Sequence, residues 1–291
     1  MDTKKYFAHF VDMVKDIPIN TQDVSLSLIQ HKDGIYVWRV AAGNVSYIMK
    51  HFENVEYRRE IENYKTLISL GVPTLNVVAH TSCSILLQDI EDSMYRLGKP
   101  EDMSDPKIAA TIAKWYKTLH EKGQHYKNLP QLYDECDCIT PENIAMVIEV
   151  TKTSNLHVWQ VINTNFGRIK SAAIGLPRTL TYNDFYYTNL AVASDGTSAI
   201  MYDYNMLGKG YVYGDIRNVC SSLGSEEARL AFKNAYGHLN ENEALLDDII
   251  CTLQTLIVAC GREKFPNWAA GALEMVKDGR LLMAVEDFLK E

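Results

Sequence analysis

Three side chains in one stretch of the chain carry oxygen donors at a spacing that could do chemistry. Asp184 and Asn189 lie in the segment TYNDFYYTNL (181–190), and Asp203 lies in MYDY (201–204) just beyond it. Between them, Leu190 to Ser194 and Ser198 to Tyr202 flank Asp195-Gly196, a hairpin signal. A two-residue turn there sets Ser194 opposite Thr197, Asn189 opposite Tyr202 and Thr188 opposite Asp203. Asn189 and Asp203 then share the open end of the hairpin, with Asp184 on the loop that feeds it. Two acids and an amide offer oxygen alone, which suits a hard cation such as Mg²⁺ carrying nucleotide phosphates. A carboxylate left free of the cation could touch a hydroxyl and accept its proton. Phosphoryl transfer asks for these parts together with a positive charge on the donor phosphates.

That charge is expected from Lys50, at the end of the alternating run VSYIMK (45–50), with Glu60 on the following helix as its partner. Taken singly, Lys50 reads as an edge-strand charge and Glu60 as part of a solvated helix face. Their order along the chain makes the set specific: strand Lys, helix Glu, Asp-x4-Asn, hairpin, Asp.

The elements that must position these groups follow from pattern. A short helix is expected over Thr3 to Val14, then strands over Ser25 to Gln30, Ile35 to Val40 and Val45 to Phe52, divided by turns at His31 to Gly34 and Ala41 to Asn44. Ile61, Tyr64, Leu67 and Ile68 fall at helical spacing, predicting a helix from Val55 to Leu70 that stops at Gly71. Leu75 to Val78 and Ser84 to Gln88 read as two more strands. From about Pro106 the pattern turns helical, over Ile108 to Lys122, Pro141 to Thr153, Leu156 to Ile174, Glu226 to Tyr236, Glu241 to Cys260 and Asn267 to Leu289, interrupted by a short strand at Thr179 to Tyr182 and the hairpin. The fold class is α+β, with a β-rich region 1–90 carrying one main helix and a larger, mainly helical region 91–291.

In these motifs the chain resembles the aminoglycoside phosphotransferase and choline kinase family, small-molecule relatives of the protein kinases. The family's His-x-Asp-x4-Asn resembles Tyr182-Asn183-Asp184 through Asn189, and its Ile-Asp-aromatic motif resembles Met201 to Tyr204. Tyr47 to Lys50 is similar to the Lys strand, Arg59-Glu60 to the Arg-Glu helix, and Leu86 to Ile90 to the hinge that holds adenine through backbone groups. Leu119-His120, Gly214-Asp215-Ile216 and Phe232 with Ala235-Tyr236 agree. The resemblance implies a bilobal protein-kinase-like fold, 1–90 binding nucleotide and 91–291 holding catalytic and acceptor groups. It implies Asp184 as catalytic base, Asn189 and Asp203 as Mg²⁺ ligands, Lys50 as phosphate clamp held by Glu60, and Gln88 and Ile90 as base-binding positions. ATP or GTP would be the donor. Two departures stand out: Tyr182 replaces the motif His, and the turn at His31 to Gly34 has one Gly for cradling phosphate. The interval between Asp203 and Asp215 is too short for an activation loop and its anchor, so the expected acceptor is a small molecule.

Composition narrows the partners. The 291 residues carry a formal net charge of −8, which argues against a broad basic face for nucleic acid or anionic membrane and is compatible with a cationic acceptor. Acids outnumber bases in 241–291, which suits an aminoglycoside-like acceptor. Tyr186, Tyr187, Tyr204, Tyr211, Tyr213 and Trp268 could instead box a quaternary ammonium, as a choline- or ethanolamine-type kinase requires. A rival of another class is a non-catalytic protein of this fold that senses a nucleotide or metabolite. No export signal is read at the N-terminus, so a cytoplasmic chain with six reduced cysteines is expected. His120 is expected as a buried brace, and His9, His31 and His51 show no metal-ligand spacing. Oligomeric state is not legible, with a monomer the default expectation.

Overall fold

A computed structural model describes residues 3–21 and 23–291; Met1, Asp2 and Gln22 lie outside them. The chain is α+β, with a β-sheet lobe and a helical lobe. It divides into two compact units, each woven from three segments. The first holds 1–122, 182–207 and 218–237; the second holds 123–181, 208–217 and 238–291.

The first unit begins with α1 (Thr3–Val14), whose Tyr6, Phe10, Met13 and Val14 are buried. They share a core with Tyr36, Trp38, Val40, Met49 and Leu86 of an antiparallel sheet. That sheet comprises β1 (Val24–Lys32), β2 (Ile35–Ala42), β3 (Val45–Phe52), β4 (Val77–His80) and β5 (Ser84–Gln88) in the order β1-β2-β3-β5-β4. The first strand is longer than its pattern suggested. Lys32 pairs with Ile35 across a two-residue turn, and Ile29 is bulged between Leu28 and Gln30. Asp33 and Gly34 both take positive φ (+52° and +77°), the conformation that closes a tight hairpin with the native twist.

The expected helix over Val55 to Leu70 is a 3₁₀ turn (Val55–Arg58) running into α2 (Arg59–Leu70). Gly71 ends it at φ +72°, its N–H bonding back to the last turn while Val72 N–H bonds to Leu67 O. A three-residue strand not anticipated from the sequence, β6 (Tyr95–Leu97), lies beside the hairpin further along. Arg96 clamps Asp102 through two bonds of 2.7 Å. α3 (Pro106–Gly123) follows, and its His120 is buried with Nδ1 2.8 Å from the Tyr236 hydroxyl, a brace as expected.

In the second unit, α4 (Pro141–Thr151) and α5 (His157–Gly175) pack with later helices around Ile144, Trp159, Ile249 and Leu253. β7 (Thr179–Thr181) closes the preceding run. Back in the first unit, β8 (Leu190–Ala193) and β9 (Ala199–Met201) form the hairpin, with β6 paired to β8. β10 (Gly208–Gly210) then pairs with β7. Among the helices that follow, α6 (Val212–Ser222) was not read from the sequence, because Gly214 and polar residues blur its period. α7 (Glu226–Tyr236) and α8 (Glu241–Cys260) match their expected spans. The single helix expected over 267–289 is broken. α9 (Ala270–Lys277) ends at Asp278, and α10 (Arg280–Lys290) starts after Gly279, whose φ of +88° no helix accommodates. No described helix is long and apolar enough to cross a membrane.

Candidate active site

Alternation along β3 puts Lys50 and His51 on opposite faces of the sheet. Lys50 is 8% exposed, and Glu60 of α2 is fully buried. The ammonium meets both Glu60 oxygens at 2.6 and 2.7 Å and lies 3.3 Å from Asp203 Oδ1. Burial works to lower the Lys50 pKa, but the Glu60 and Asp203 carboxylates outweigh it and hold the ammonium above its ordinary range. Lys50 therefore stays charged, a fixed cation shared between α2 and the end of the hairpin.

The hairpin has the register set out from the sequence, Leu190 opposite Met201 and Val192 opposite Ala199. Tyr202 N–H bonds to Asn189 O at 3.0 Å, so Asn189 and Asp203 do end at the same open end. The turn itself differs. Gly196 has positive φ and Asp195 does not. Gly196 N–H bonds to Ala193 O, and Asp195 Oδ1 accepts from Thr197 N–H, which makes a longer, Asp-capped loop with unchanged pairing.

Two backbone positions aim the polar groups. Asn183 and Asp203 both sit in the left-handed region, at φ +64° and +63°. Asn and Asp tolerate this better than other residues with a Cβ. Asn183 Nδ2 bonds to Met206 O at 3.1 Å, and Asn205 Nδ2 bonds to Asp203 Oδ1 at 2.6 Å. Behind them is an aromatic wall. Tyr182, 0% exposed, donates to Tyr202 O and packs edge-on against Trp115, Tyr116 and Tyr204. Tyr204 donates to Met201 O, and Asn63 Nδ2 of α2 reaches Tyr204 O at 2.7 Å.

Asn189 Nδ2 bonds to the Asp184 main-chain O and to its Oδ2, both at 3.0 Å. Although Asp184 is solvent-accessible, partial withdrawal of its carboxylate from water and then the Asp203 charge push its pKa up to about 6, against the Asn189 hydrogen bond. Asn189 keeps its Oδ1 as the atom for a cation. Asn205 Oδ1 is buried beside Asp203 with no hydrogen-bond partner among the described residues, an acceptor in want of a donor or a cation. An oxygen-only set of one amide and one carboxylate fits Mg²⁺, which keeps several waters and takes further oxygens from phosphates.

The loop is tightly backed. Gly98 N–H bonds to Leu190 O at 2.6 Å, and a Cβ there would clash with the Tyr187 carbonyl oxygen and lie 3.0 Å from Leu190 Cβ. Gly98→Ala is expected to destabilise the protein by about 1–3 kcal/mol. Urea unfolding measures this, and an unchanged midpoint would show that the loop yields freely.

At the hinge position, Gln88 pairs with Tyr47 and its N–H bonds to Asn76 O at 2.9 Å. The Ile90 carbonyl accepts from Ser93 N–H and Oγ at 3.0 and 2.8 Å. Asp89 between them is buried, held by Ser46 Oγ and by Arg39 Nε at 2.9 Å.

The acceptor candidates separate. Tyr204 and Tyr211 are buried, Tyr211 donating to Asp247 at 2.8 Å, while Tyr186 is exposed and leans on Tyr187. Trp268 is exposed beneath the Arg262 guanidinium, 5.4 Å from its centroid. Of the acids in 241–291, Asp247 pairs with Arg217 at 2.7 Å and Glu243 accepts from Tyr213 N–H at 2.8 Å. Those two are structural.

The sequence matches no protein-family model and no curated protein. Solved structures give a different answer. A choline kinase from Streptococcus pneumoniae aligns at TM-score 0.61 over 99% of this chain and 100% of its own, with 14% identity. A Plasmodium vivax ethanolamine kinase aligns at 0.63 over 93% and 87%, also with 14% identity. A macrolide 2′-phosphotransferase from Brachybacterium faecium aligns at 0.60 over 92% and 98%, with 15% identity. The chain shares its fold with these three structures. These neighbours are of the kind that the motifs around Asp184 and Asp203 resemble, and the likeness runs over nearly the whole chain.

Sequence spacing missed one grouping within this fold. His31 stacks on Tyr36, but His9 and His51 come together with Cys83. Burial pushes the His51 imidazole pKa down to about 4, helped by the neighbouring His9. The three residues come from a helix, a strand and a turn far apart in the chain, so no spacing rule could have grouped them.

Proposed function

We propose that this protein is a small-molecule kinase that moves the γ-phosphate of ATP or GTP to a hydroxyl of a small cationic acceptor. The observation that carries the reading is the juxtaposition of a buried, permanently charged Lys50 with Asp203, and of Asp203 with the Asp184–Asn189 pair at one end of the hairpin.

In this reading region 1–90 binds nucleotide and 91–291 supplies catalytic and acceptor groups. Lys50, held by Glu60, neutralises donor phosphate oxygens. Asn189 Oδ1 and Asp203 hold Mg²⁺, which when bound shields the phosphate charge. Gln88 and Ile90 would hold the nucleobase edge through backbone groups. Asp184 would orient the acceptor hydroxyl and take its proton as the new bond from its oxygen to the γ-phosphorus forms and the bond to the β-phosphate oxygen breaks, releasing the nucleoside diphosphate.

An aminoglycoside-like acceptor is our first reading, from the acidic balance of 241–291. A choline- or ethanolamine-type acceptor is the second, favoured by the exposed aromatic Tyr186 two residues from Asp184. Nucleoside diphosphate release with Mg²⁺ and ATP or GTP, across aminoglycosides, choline, ethanolamine and amino sugars, tests both. Nucleotide binding without turnover on any of these would favour the non-catalytic sensor.

The base assignment also sets a pH dependence. Asp184 must be ionised to accept a proton, and its pKa is raised to about 6. The acid limb of kcat/KM should therefore rise with pH through a midpoint near 6 rather than ~4, the ordinary carboxylate range. A profile flat from pH 5 to 7 would remove Asp184 from the role.

A further inference from the structure

On the face of β3 opposite Lys50, His51 meets α1 and the turn that leads into β5. His9 of α1, His51 and Cys83 each offer one ligand atom, and the three atoms lie within 4.8 Å of one another. Among the described residues no other group of three imidazole, thiol or carboxylate side chains is so placed. We propose that His9, His51 and Cys83 form a binding site for Zn²⁺.

The donor set argues for that ion. Two imidazoles and a thiolate are borderline-soft ligands, the kind that select zinc over the magnesium or calcium that oxygen sets take. Zinc bonds of about 2.0–2.3 Å put tetrahedral donors ~3.3–3.7 Å apart. The site therefore closes on the ion by side-chain rotation and shifts on the order of an ångström. Three protein ligands leave a fourth position for water.

The surroundings supply what a metal-bound imidazole needs. His51 is 4% exposed, and its Nδ1 lies 2.8 Å from Ser84 Oγ. A hydrogen bond on one ring nitrogen that orients the other toward the metal is the usual support of a zinc ligand. The His9 and His51 rings already face each other, with centroids 4.5 Å apart and planes inclined by 33°. Cys83 is a free thiol, with Thr81 Oγ1 and Ser84 Oγ 3.8 and 3.9 Å from its sulfur. Binding releases the thiol proton to solvent, so affinity falls as pH falls. The ion would tie α1 to β3 and to the β4–β5 turn, adding to the apolar packing of α1 on the sheet and to the Lys5–Glu53 ion pair at 3.0 Å.

Cobalt(II) gives the direct test, because it takes zinc sites and a cobalt–thiolate bond absorbs in the near ultraviolet. The full chain, without a histidine tag and stripped with a chelator, is titrated with Co²⁺ in saturating Mg²⁺. The expected result is one Co²⁺ per chain with a charge-transfer band that Zn²⁺ abolishes. Cys83→Ser should lose the band, and His9→Gln should weaken Co²⁺ binding at least about tenfold. Both residues are only partly buried, and circular dichroism verifies that the variants fold. Asp203→Asn should keep the band, which separates this site from the phosphate-binding one. No band in the parent protein, or a band that survives both Cys83→Ser and His9→Gln, would overturn the proposal.

Discussion

Asp184→Asn is expected to lower acceptor-dependent turnover by about 10²–10⁴-fold, the range that a positioned general base contributes, while nucleotide affinity stays nearly unchanged. The substitution isolates the proton acceptor. An Asn side chain at 184 can still accept from Asn189 Nδ2, so the 3.0 Å contact that ties the loop together survives. It also removes one of two neighbouring negative charges, which should if anything ease the approach of donor phosphates. Steady-state kinetics on the best acceptor, beside calorimetric titration with nucleotide, separates the two effects. Turnover within about threefold of the parent would leave the geometry of Asp184 without the chemistry assigned to it.

The second large effect concerns Lys50 and Glu60. Removing one member of a buried ion pair leaves the other charge in an apolar setting, at a cost of about 3–5 kcal/mol. Lys50→Met and Glu60→Gln should each lower stability by that order. Lys50→Met is the milder, because burial already pushes the Glu60 carboxyl up to about 7 and it can take up a proton. Replacing both together, Lys50→Met with Glu60→Leu, should recover much of the loss, since no unpaired charge then remains. Turnover should not recover, because the ammonium that neutralises the donor phosphates is gone. Denaturant unfolding and kinetics on the three variants test this. A double variant as unstable as Glu60→Gln would mean that the pair acts through packing rather than charge.

Much of this arrangement could be read from residue order, for identifiable reasons. The hairpin register follows from where the strands end, so it survived an error about the turn. Asp195 and Gly196 form a capped loop rather than a two-residue turn, yet Asn189 still ends opposite Tyr202. Lys50 and Glu60 were legible as partners because a strand and the next helix are neighbours in sequence and in space. Elements whose existence depends on distant partners were hidden. β6 is three residues long and is a strand only because β8 lies beside it. The break at Gly279 lies inside a continuous apolar period, and α6 carries a glycine in its first turn. The base-binding roles proposed for Gln88 and Ile90 would rest on backbone groups, which residue types cannot report.

The weaving of the first unit from 1–122, 182–207 and 218–237 has a consequence for how the protein is made. All five strands of its larger sheet lie within 24–88, so that sheet can form while synthesis continues. Lys50 and Glu60 can meet early, but Asp203 arrives only after the whole of 123–181 has emerged, several seconds later at ~5–20 residues per second. During that interval the nascent chain presents a sheet and α2 without the hairpin that completes their polar end. A ribosome that stalls before residue 203 therefore releases a chain with a formed cation and nothing for it to serve. The length of that interval is thus set by the order of segments along the chain, and slow translation through the intervening helices would lengthen it.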